Sequence, residues 1–507
     1  MRDVPGEKGI VWNGSTGQAG AATISADPIK LLNRSYGSTL VKIGAHYVPR
    51  RSLILALSES VIFMTALMLA TVLRFMDLSV ARDYFSHPQN WLRFASVTLI
   101  CQLALYYNEL YEVRVASSRG AKLARAFAAM GIALMALSLL YYLVPAFRME
   151  RGIGFLAAVL SIALLVVWRL TLERTKVFSR PLERILVMGM GPHGINLAGE
   201  IMRRPELQYK VVGFLDEQGS SMGSTCKTLV TPGIIGAVSQ VDEIAAREAV
   251  DRVVISLAER RGIMPVRQLA ALRLQGMPIE EAQSVYERLT GRLPLEQLQH
   301  SWLVLSEGFR KSRFAVAAKR VTDILVSFVL IVLSAPVMLA VALAIMLESG
   351  RPVLFKQERV GLGGRRFKIF KFRSMTIGSD KDAPSWTAEG DSRITRVGAF
   401  IRKYRLDELP QLVNILRGEM SLVGPRPEVP YFCDLLEREI PFFNLRHSVR
   451  PGLTGWAQVK YQYGASLEQT KTKFEYDLFY IKHLSVLFDL TIILETAKVV
   501  LIGKGAK

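Results

Sequence analysis

The chain has 507 residues, half of them hydrophobic, and a formal net charge of +20. That length exceeds one ordinary domain, and the apolar excess points to membrane segments. The basic surplus suits anionic lipid or anionic substrates, while the apolar spans argue against nucleic acid as the partner.

Residues 1–45, rich in Gly, Ser, Ala and Asp without periodicity, read as a disordered arm. No signal peptide is expected, because the first apolar run begins only after Arg50 and Arg51. Four apolar stretches follow near 52–73, 91–112, 126–146 and 152–170, each long enough to cross a bilayer as a helix. Arg50 and Arg51 precede the first, and Arg114, Arg119, Lys122 and Arg125 fill the second loop. Arg169, Arg174, Lys176, Arg180 and Arg184 lie at or beyond the end of the fourth. The positive-inside rule then places both ends of a four-helix bundle, residues 46–178, in the cytoplasm.

Beyond it, Arg184-I-L-V-M-G-M-G-P-H-G runs from an apolar strand into a glycine-rich turn. Gly189, Gly191 and Gly194 fit G-x-G-x-x-G, and Val211-V-G-F-L-D would be the next strand. Asp216 at its end stands about where a ribose-binding acid is expected. Val250-D-R-V-V-I-S-L and the periodic Met264–Leu274 continue the alternation. This predicts a Rossmann-like domain over 179–305. A lone fingerprint with Pro192 inside it leaves a cofactor site and a structural or regulatory domain both open.

Lys319 to Leu347 is long and apolar enough for a fifth span. Yet Lys311, Arg313, Lys319 and Arg320 lie on one side of it, and Arg351, Lys356, Arg359 and Arg365 with further basic residues on the other. A span would export one cluster against the positive-inside preference. Pro336 removes a backbone hydrogen bond near the middle, and Ser334 is placed to bond a freed backbone group. The segment therefore reads as helix-break-helix, entering and leaving by the cytoplasmic face. Residues 351–376 interleave eight basic residues with Phe355, Phe367, Phe370 and Phe372. That mixture suits lipid headgroups, with a solvated basic loop as the alternative. Residues 377–392 read as a flexible connection.

An adjacent acidic pair, Asp407 and Glu408, follows Arg402, Lys403 and Arg405, and Pro410 comes three residues after the Asp. Leu409, Leu412, Val413 and Leu416 give an apolar helical face. Two carboxylates at a helix N-terminus would sit where the dipole and free N–H groups favour negative charge or phosphate. A capped, salt-bridged surface helix is the plainer reading. Gly424-Pro425-Arg426-Pro427 is a rigid turn presenting Arg426. The last apolar run, Leu484 to Ile502, carries Asp489, Glu495 and Lys498, and so reads as an interfacial or docked helix. Three scattered cysteines, Cys101, Cys226 and Cys433, and six scattered histidines form neither a disulfide framework nor a zinc site. A metal held by carboxylates and substrate phosphates stays open.

Together these motifs resemble the bacterial sugar transferase domain of the monotopic phosphoglycosyl transferases. The carrying residues are Lys319-Arg320-x-x-Asp323, the Pro336 break, Phe370-K-F-R-S-M, Leu406-D-E-L-P-Q-L, Val423-G-P-R-P and Arg450-P-G-L-T-G-W-A-Q-V. The whole chain is similar to the long polyprenyl-phosphate hexose-1-phosphate transferases of exopolysaccharide and O-antigen synthesis, Tyr286-E-R-L-T-G-R-L-P included. One departure is Ser334-Ala335-Pro336, since many relatives place Ser directly before the proline.

The resemblance implies a membrane protein with an α bundle, an α/β Rossmann-like domain that is non-catalytic, and a catalytic domain over 313–507 with a re-entrant helix. It implies a bacterial inner-membrane location with the catalytic domain on the cytoplasmic face. Asp407 would attack the β-phosphate of a UDP-sugar, releasing UMP, and undecaprenyl phosphate would then take the sugar phosphate. Glu408 would help proton transfer or position the acceptor. Arg402, Arg426, Lys319 and Arg320 would bind phosphate, and Pro425, Pro427, Thr454, Gly455 and Gln458 would line the substrate site. Mg²⁺ would bind at Asp407. Glucose and galactose 1-phosphate are the common family choices, and a homodimer is expected. A membrane-anchored nucleotide-sugar dehydratase or epimerase would need Tyr-x-x-x-Lys, which none of the sixteen tyrosines provides. A non-catalytic assembly or length-control partner is the remaining alternative, and the intact acid pair argues against it.

Overall fold

The computed structural model describes residues 40–43, 46–108, 110–111, 119–174, 183–204, 209–216, 232–257, 263–295, 308–309, 311–376, 393–461 and 466–502. Most of the expected arm, Arg114, Lys176, Arg180, Cys226 and the 377–392 connection lie outside them. The structured chain nevertheless starts inside the stretch read as an arm. Leu40–Ile43 (β1) pairs antiparallel with His46–Pro49 (β2).

Five helices follow: α1 (Arg50–Phe75), α2 (Leu78–Ser86), α3 (Pro88–Tyr107), α4 (Arg119–Leu143) and α5 (Arg151–Arg174). Small residues on α1 and α4, Ala66, Ala70, Ala129 and Ala133, are fully buried and let the backbones approach. Glu59 is buried between α1 and α5, accepting from Arg169 Nε at 2.9 Å and from Tyr111 Oη at 2.6 Å. Helices α1, α4 and α5 are long and apolar enough to cross a membrane. The fourth helix of that kind is the later Arg313–Ser349. It is not α3, whose first turns carry Gln89, Asn90 and Arg93.

The middle of the chain forms a five-stranded sheet from β3 (Glu183–Met188), β4 (Tyr209–Asp216), β5 (Ile234–Ala237), β6 (Arg252–Ile255) and β7 (Ile279–Glu281). The order is β5-β4-β3-β6-β7 and every pair is parallel. The central strands β3, β4 and β6 are largely apolar and buried because helices cover both faces. Pro192–Arg203 (α6) and Ala282–Thr290 (α9) pack on one face. Val241–Arg247 (α7) and Val266–Leu274 (α8) pack on the other.

The third region opens with one 37-residue helix, α10 (Arg313–Ser349), about 55 Å long if straight. Beyond it come the antiparallel hairpin β8 (Leu354–Val360) and β9 (Arg366–Phe372), then α11 (Arg396–Lys403) and α12 (Gln411–Arg417). Next are β10 (Ser421–Val423), α13 (Pro430–Glu439), β11 (Gly452–Thr454), α14 (Trp456–Lys460), α15 (Leu467–His483) and α16 (Val486–Ile502). The aromatic core centres on Trp456, Phe443, Phe474, Phe479, Tyr480 and Phe488, all at most 2 % exposed.

Helix α10 corrects one expectation. Residues 313–349 form a single helix with Pro336 inside it, not two helices separated by a break. Ser334 Oγ donates to Leu330 O at 2.6 Å. The carbonyl that Pro336 leaves without an i+4 donor is that of Val332, so Ser334 does not satisfy it. Both ends of α10 are tied to the same region. Near its start, Asp323 Oδ1 accepts from Leu422 N at 3.1 Å, and Lys319 Nζ donates to Val423 O and Asp489 Oδ2 at 2.9 and 2.6 Å. At its end, Arg373 Nη2 donates to Ser349 O and Gly350 O, and Glu348 Oε1 accepts from Arg396 N. Between these anchors Phe328, Val329, Val332, Leu333 and Leu339 are more than half exposed. Helix α16 docks, as its charges suggested. Asp489 is buried, and Glu495 accepts from Tyr106 Oη of α3 at 2.7 Å.

A strap joins the parallel-sheet region to this core. After α9, Leu293 is fully buried in the aromatic cluster, and its N–H donates to Glu475 O at 3.2 Å. Trp456 Nε1 donates to Gly291 O at 2.8 Å, and buried Glu287 accepts from Lys482 Nζ at 2.8 Å. The Tyr286-to-Pro294 motif is therefore an inter-region clasp.

Candidate active site

Helix α11 is capped by Thr395, whose Oγ1 accepts from Gly398 N at 2.9 Å. The chain then turns through Arg405, which has a left-handed φ of +54°, into a 3₁₀ turn over Leu406–Glu408. Helix α12 starts only at Gln411. The acidic pair thus lies one turn ahead of α12, not in its first turn. The expected apolar face is also rotated. Leu412 and Ile415 are buried while Val413 is 36 % exposed. Asn414 occupies the buried face, accepting from Phe370 N at 3.1 Å and donating to Lys368 O at 2.8 Å. It stitches α12 to β9 and sets Lys371 opposite the acidic turn.

The two acids have opposite surroundings. Glu408, 8 % exposed, accepts from Arg426 Nη2 at 2.8 Å and Lys371 Nζ at 3.3 Å, with Arg405 Nη1 at 3.9 Å. Burial alone would raise its pKa, but these three cations outweigh it and hold the carboxyl well below the usual range. The same pairing raises Arg426, while burial lowers Lys371. No hydrogen bond to the Asp407 carboxylate is formed among the described residues. Burial, and then the neighbouring Glu408 charge, push Asp407 above its ordinary value, partly offset by Lys371, Arg426 and Arg402. One carboxylate is pinned and one is free beside the same cations. Sequence reasoning missed Lys371, although it stands inside the Phe370-K-F-R-S-M motif.

Arg426 is held from behind. Its carbonyl accepts from Arg446 Nη2 at 2.8 Å, the same nitrogen that contacts buried Asp477 at 3.1 Å. The flanking Pro427 carbonyl accepts from Arg359 Nη1 at 3.0 Å. Strands β10 and β11 run parallel beneath it, with Gly424 N donating to Thr454 O at 2.9 Å. Three glycines make this crossing possible. A Cβ on Gly424 would lie 2.4 Å from Arg450 O, one on Gly452 2.1 Å from Gly424 N, and one on Gly455 2.2 Å from Gly424 O. A small recess beside Arg426 is lined by Pro425, Pro427, Arg446 and His447. Burial and the Arg446 charge hold His447 down at about 4, so it is neutral at pH 7.

Several expected substrate residues are occupied elsewhere. Buried Lys319 is spent on Asp489 and the Val423 carbonyl. Arg320 donates to Ile415 O and Leu416 O at 2.7 and 3.0 Å, closing the end of α12. Both brace the fold instead of facing the acidic turn. Thr454 Oγ1 bonds Thr496 Oγ1 of α16 at 2.7 Å, and Gly455 is a packing glycine. Gln458 Oε1 is buried without a partner among the described residues. Arg402 makes no ion pair among them, and its charge acts on Asp407.

No group of three or more His, Cys, Asp or Glu able to hold a metal occurs among the described residues. With Glu408 occupied by cations, Asp407 is the one free carboxylate at the turn. That fits Mg²⁺, which takes one or two carboxylates and completes its shell with substrate phosphates and water. The glycine-rich turn of the parallel sheet reads differently. Cβ atoms on Gly189, Gly191 and Gly194 would all meet Ser256, at 2.9, 2.8 and 2.8 Å. Those glycines are required by packing on the end of β6, with no ligand needed to explain them.

Fold and site define a membrane-associated protein with a buried carboxylate pair set among cations. A family model described as bacterial sugar transferase matches residues 314–503, and one described as CoA-binding domain matches 107–272. A UDP-N-acetylgalactosamine-undecaprenyl-phosphate N-acetylgalactosaminephosphotransferase of Aeromonas hydrophila is 45 % identical over 241 residues, 48 % of this chain and 56 % of that protein. An undecaprenyl-phosphate glucose phosphotransferase of Komagataeibacter xylinus is 35 % identical over 342 residues, 66 % of this chain and 62 % of that one. A UDP-glucose:undecaprenyl-phosphate glucose-1-phosphate transferase of Klebsiella pneumoniae is 33 % identical over 334 residues, 64 % of this chain and 69 % of its own length. The match thus spans less than two thirds of the first two relatives. The chain belongs to the bacterial sugar transferase family.

Proposed function

We propose that the protein transfers a sugar 1-phosphate from a UDP-sugar to undecaprenyl phosphate in two steps. In the first, an Asp407 oxygen attacks the β-phosphorus, the P–O bond to the α-phosphate breaks, and UMP leaves. In the second, an oxygen of the polyprenyl phosphate attacks the same phosphorus. The bond to Asp407 breaks, returning the carboxylate and giving polyprenyl diphosphate sugar. The observation that carries this reading is the free Asp407 carboxylate beside a Glu408 that three cations neutralise. A nucleophile must be unpaired to attack, and phosphoryl transfer needs preorganised positive charge around it.

Glu408, held deprotonated, is a weak base. Its role is to position Arg426 and Lys371, and the acceptor phosphate is already anionic and needs no base. Arg402 and Arg426 receive the diphosphate. Mg²⁺ bound at Asp407 would neutralise phosphate oxygens. Relatives named for N-acetylgalactosamine and for glucose both align, so the sugar is proposed only as a UDP-activated hexose or N-acetylhexosamine.

Helix α10 supports a re-entrant seating. Its two ends contact one catalytic region, while its middle turns apolar side chains outward. A bend at Pro336 within the continuous helix would bring both ends to one side of a bilayer. The basic flanks support the cytoplasmic side of a bacterial inner membrane as that side. The parallel-sheet domain, Rossmann-like in strand order, serves as a structural partner.

The test is conversion of UDP-glucose or UDP-N-acetylgalactosamine to UMP by purified protein with undecaprenyl phosphate and Mg²⁺. Trapping of a sugar-phosphate adduct on wild-type protein, and none on Asp407→Asn, is the expected result. Normal turnover by Asp407→Asn would overturn the assignment.

A further inference from the structure

We infer that the outward face of α11 is the docking surface for the isoprenoid chain of the acceptor, with Phe400 and Tyr404 gripping its phosphate-proximal units. The inference rests on the transfer reading above and names residues for its acceptor half. Phe400 and Tyr404 are one helical turn apart, 58 % and 43 % exposed, with ring centroids 4.9 Å apart. Lys403 Nζ lies 5.6 Å from the Tyr404 ring centre. The inner face of the helix is pressed down hard. Ile401 is buried, and a Cβ on Gly398 would lie 2.1 Å from Ser374 O. Two large aromatic side chains are thus turned out, Phe400 on the eight-residue helix and Tyr404 at its C-cap, while the other side of the helix is already packed.

Three observations select the occupant. The first is continuity. Ile401 packs in one cluster with Val341 and Ile345 of α10, and Glu348 near the end of α10 accepts from the first N–H groups of α11. The aromatic pair therefore flanks the part of α10 where Val337, Leu339, Leu343 and Leu347 are exposed. Exposed apolar side chains thus stand both on α10 and on the helix packed against it. The second is charge. Residues 396–406 hold Arg396, Arg402, Lys403 and Arg405 and no acid, which matches an apolar chain ending in phosphate. The third is position, since α11 leads directly into the turn bearing Asp407. A chain lying on the aromatic pair delivers its phosphate beside Arg402 and the reacting carboxylate.

The test uses full-length protein in nanodiscs and the double variant Phe400→Ala/Tyr404→Ala. Two quantities are measured: the KM for undecaprenyl phosphate, and single-turnover UMP release from UDP-sugar without acceptor. The acceptor KM is expected to rise about tenfold while UMP release stays at the wild-type rate. The aromatic-preserving variants Phe400→Trp and Tyr404→Phe should restore the acceptor KM. An unchanged acceptor KM would overturn the inference. So would a raised KM for the UDP-sugar, which would mean that the rings stack on the nucleotide base. A defect confined to anionic bilayers would also overturn it, assigning the face to bulk headgroups. Wild-type protein that released no UMP without acceptor would count against the covalent intermediate alone, and the acceptor KM would still decide the role of α11.

Discussion

At the scale of single residues, the proposed transfer turns on two neighbouring carboxylates that the fold treats oppositely. Asp407→Asn should lower turnover at least about a thousandfold, because no second carboxylate is free to attack. The sign of the pH effect follows from burial and the Glu408 charge, both of which raise Asp407. The ionised, attacking form is lost as pH falls through that raised value, so the acid limb of kcat/KM should lie above the range of an ordinary aspartate, about 3.9. Glu408→Gln removes the repelling charge and frees Arg426 and Lys371 to act on Asp407. A pH–rate profile of that variant should show the acid limb moved downward. Asp407, Glu408 and Arg426 stand in short sequence motifs, and the fold brings the three together. Lys371 was quoted in such a motif but not recognised, since its partner lies 37 residues away on another element. Lys319 is equally mute in the sequence about its structural partner. Its partner, Asp489, is 170 residues distant, and a basic residue in a motif looks alike whether it holds a substrate or the fold.

At the scale of elements, the supports of the site are backbone contacts that no local pattern displays. The parallel pairing of β10 with β11, three residues each, depends on Gly424, Gly452 and Gly455 meeting backbone to backbone. Lys319 closes the same crossing from α10. Lys319→Met should strand the buried Asp489 carboxylate and cost about 3–5 kcal/mol, read as a fall in thermal midpoint. Adding Asp489→Leu should recover most of that loss. The long apolar helix was readable by composition, and so were its charged flanks. Its continuity through Pro336 was not, because a proline inside a helix removes one bond without dictating whether the helix stops. The acidic turn was misplaced by one turn because Arg405 adopts a left-handed conformation that its side chain does not announce.

At the scale of the molecule, four apolar stretches, an alternating β-α segment and a basic catalytic region were all visible as composition and period. How they meet was not. Cysteines introduced at Lys311 and at Arg351 should both resist an external thiol reagent in intact cells, and labelling of only one would mean that α10 spans. Asp216→Asn should leave turnover within about twofold, as suits a domain whose glycines serve packing. Gly191→Ala is a poor substitute for that test, since its Cβ would strike Ser256 O.

The clasp between the parallel-sheet region and the sugar transferase region bears on how the protein is cut. The matched family segment begins at residue 314, while the clasp's contacts with that segment begin at Glu287. A fragment excised at that point would leave an open slot where Leu293 sits, an indole N–H without its Gly291 acceptor, and Lys482 without Glu287. Fragments starting before Ala282 should be recovered as soluble-domain folds in detergent, and those starting at 314 should aggregate. On that expectation, the boundary of homology and the boundary of stability fall some thirty residues apart.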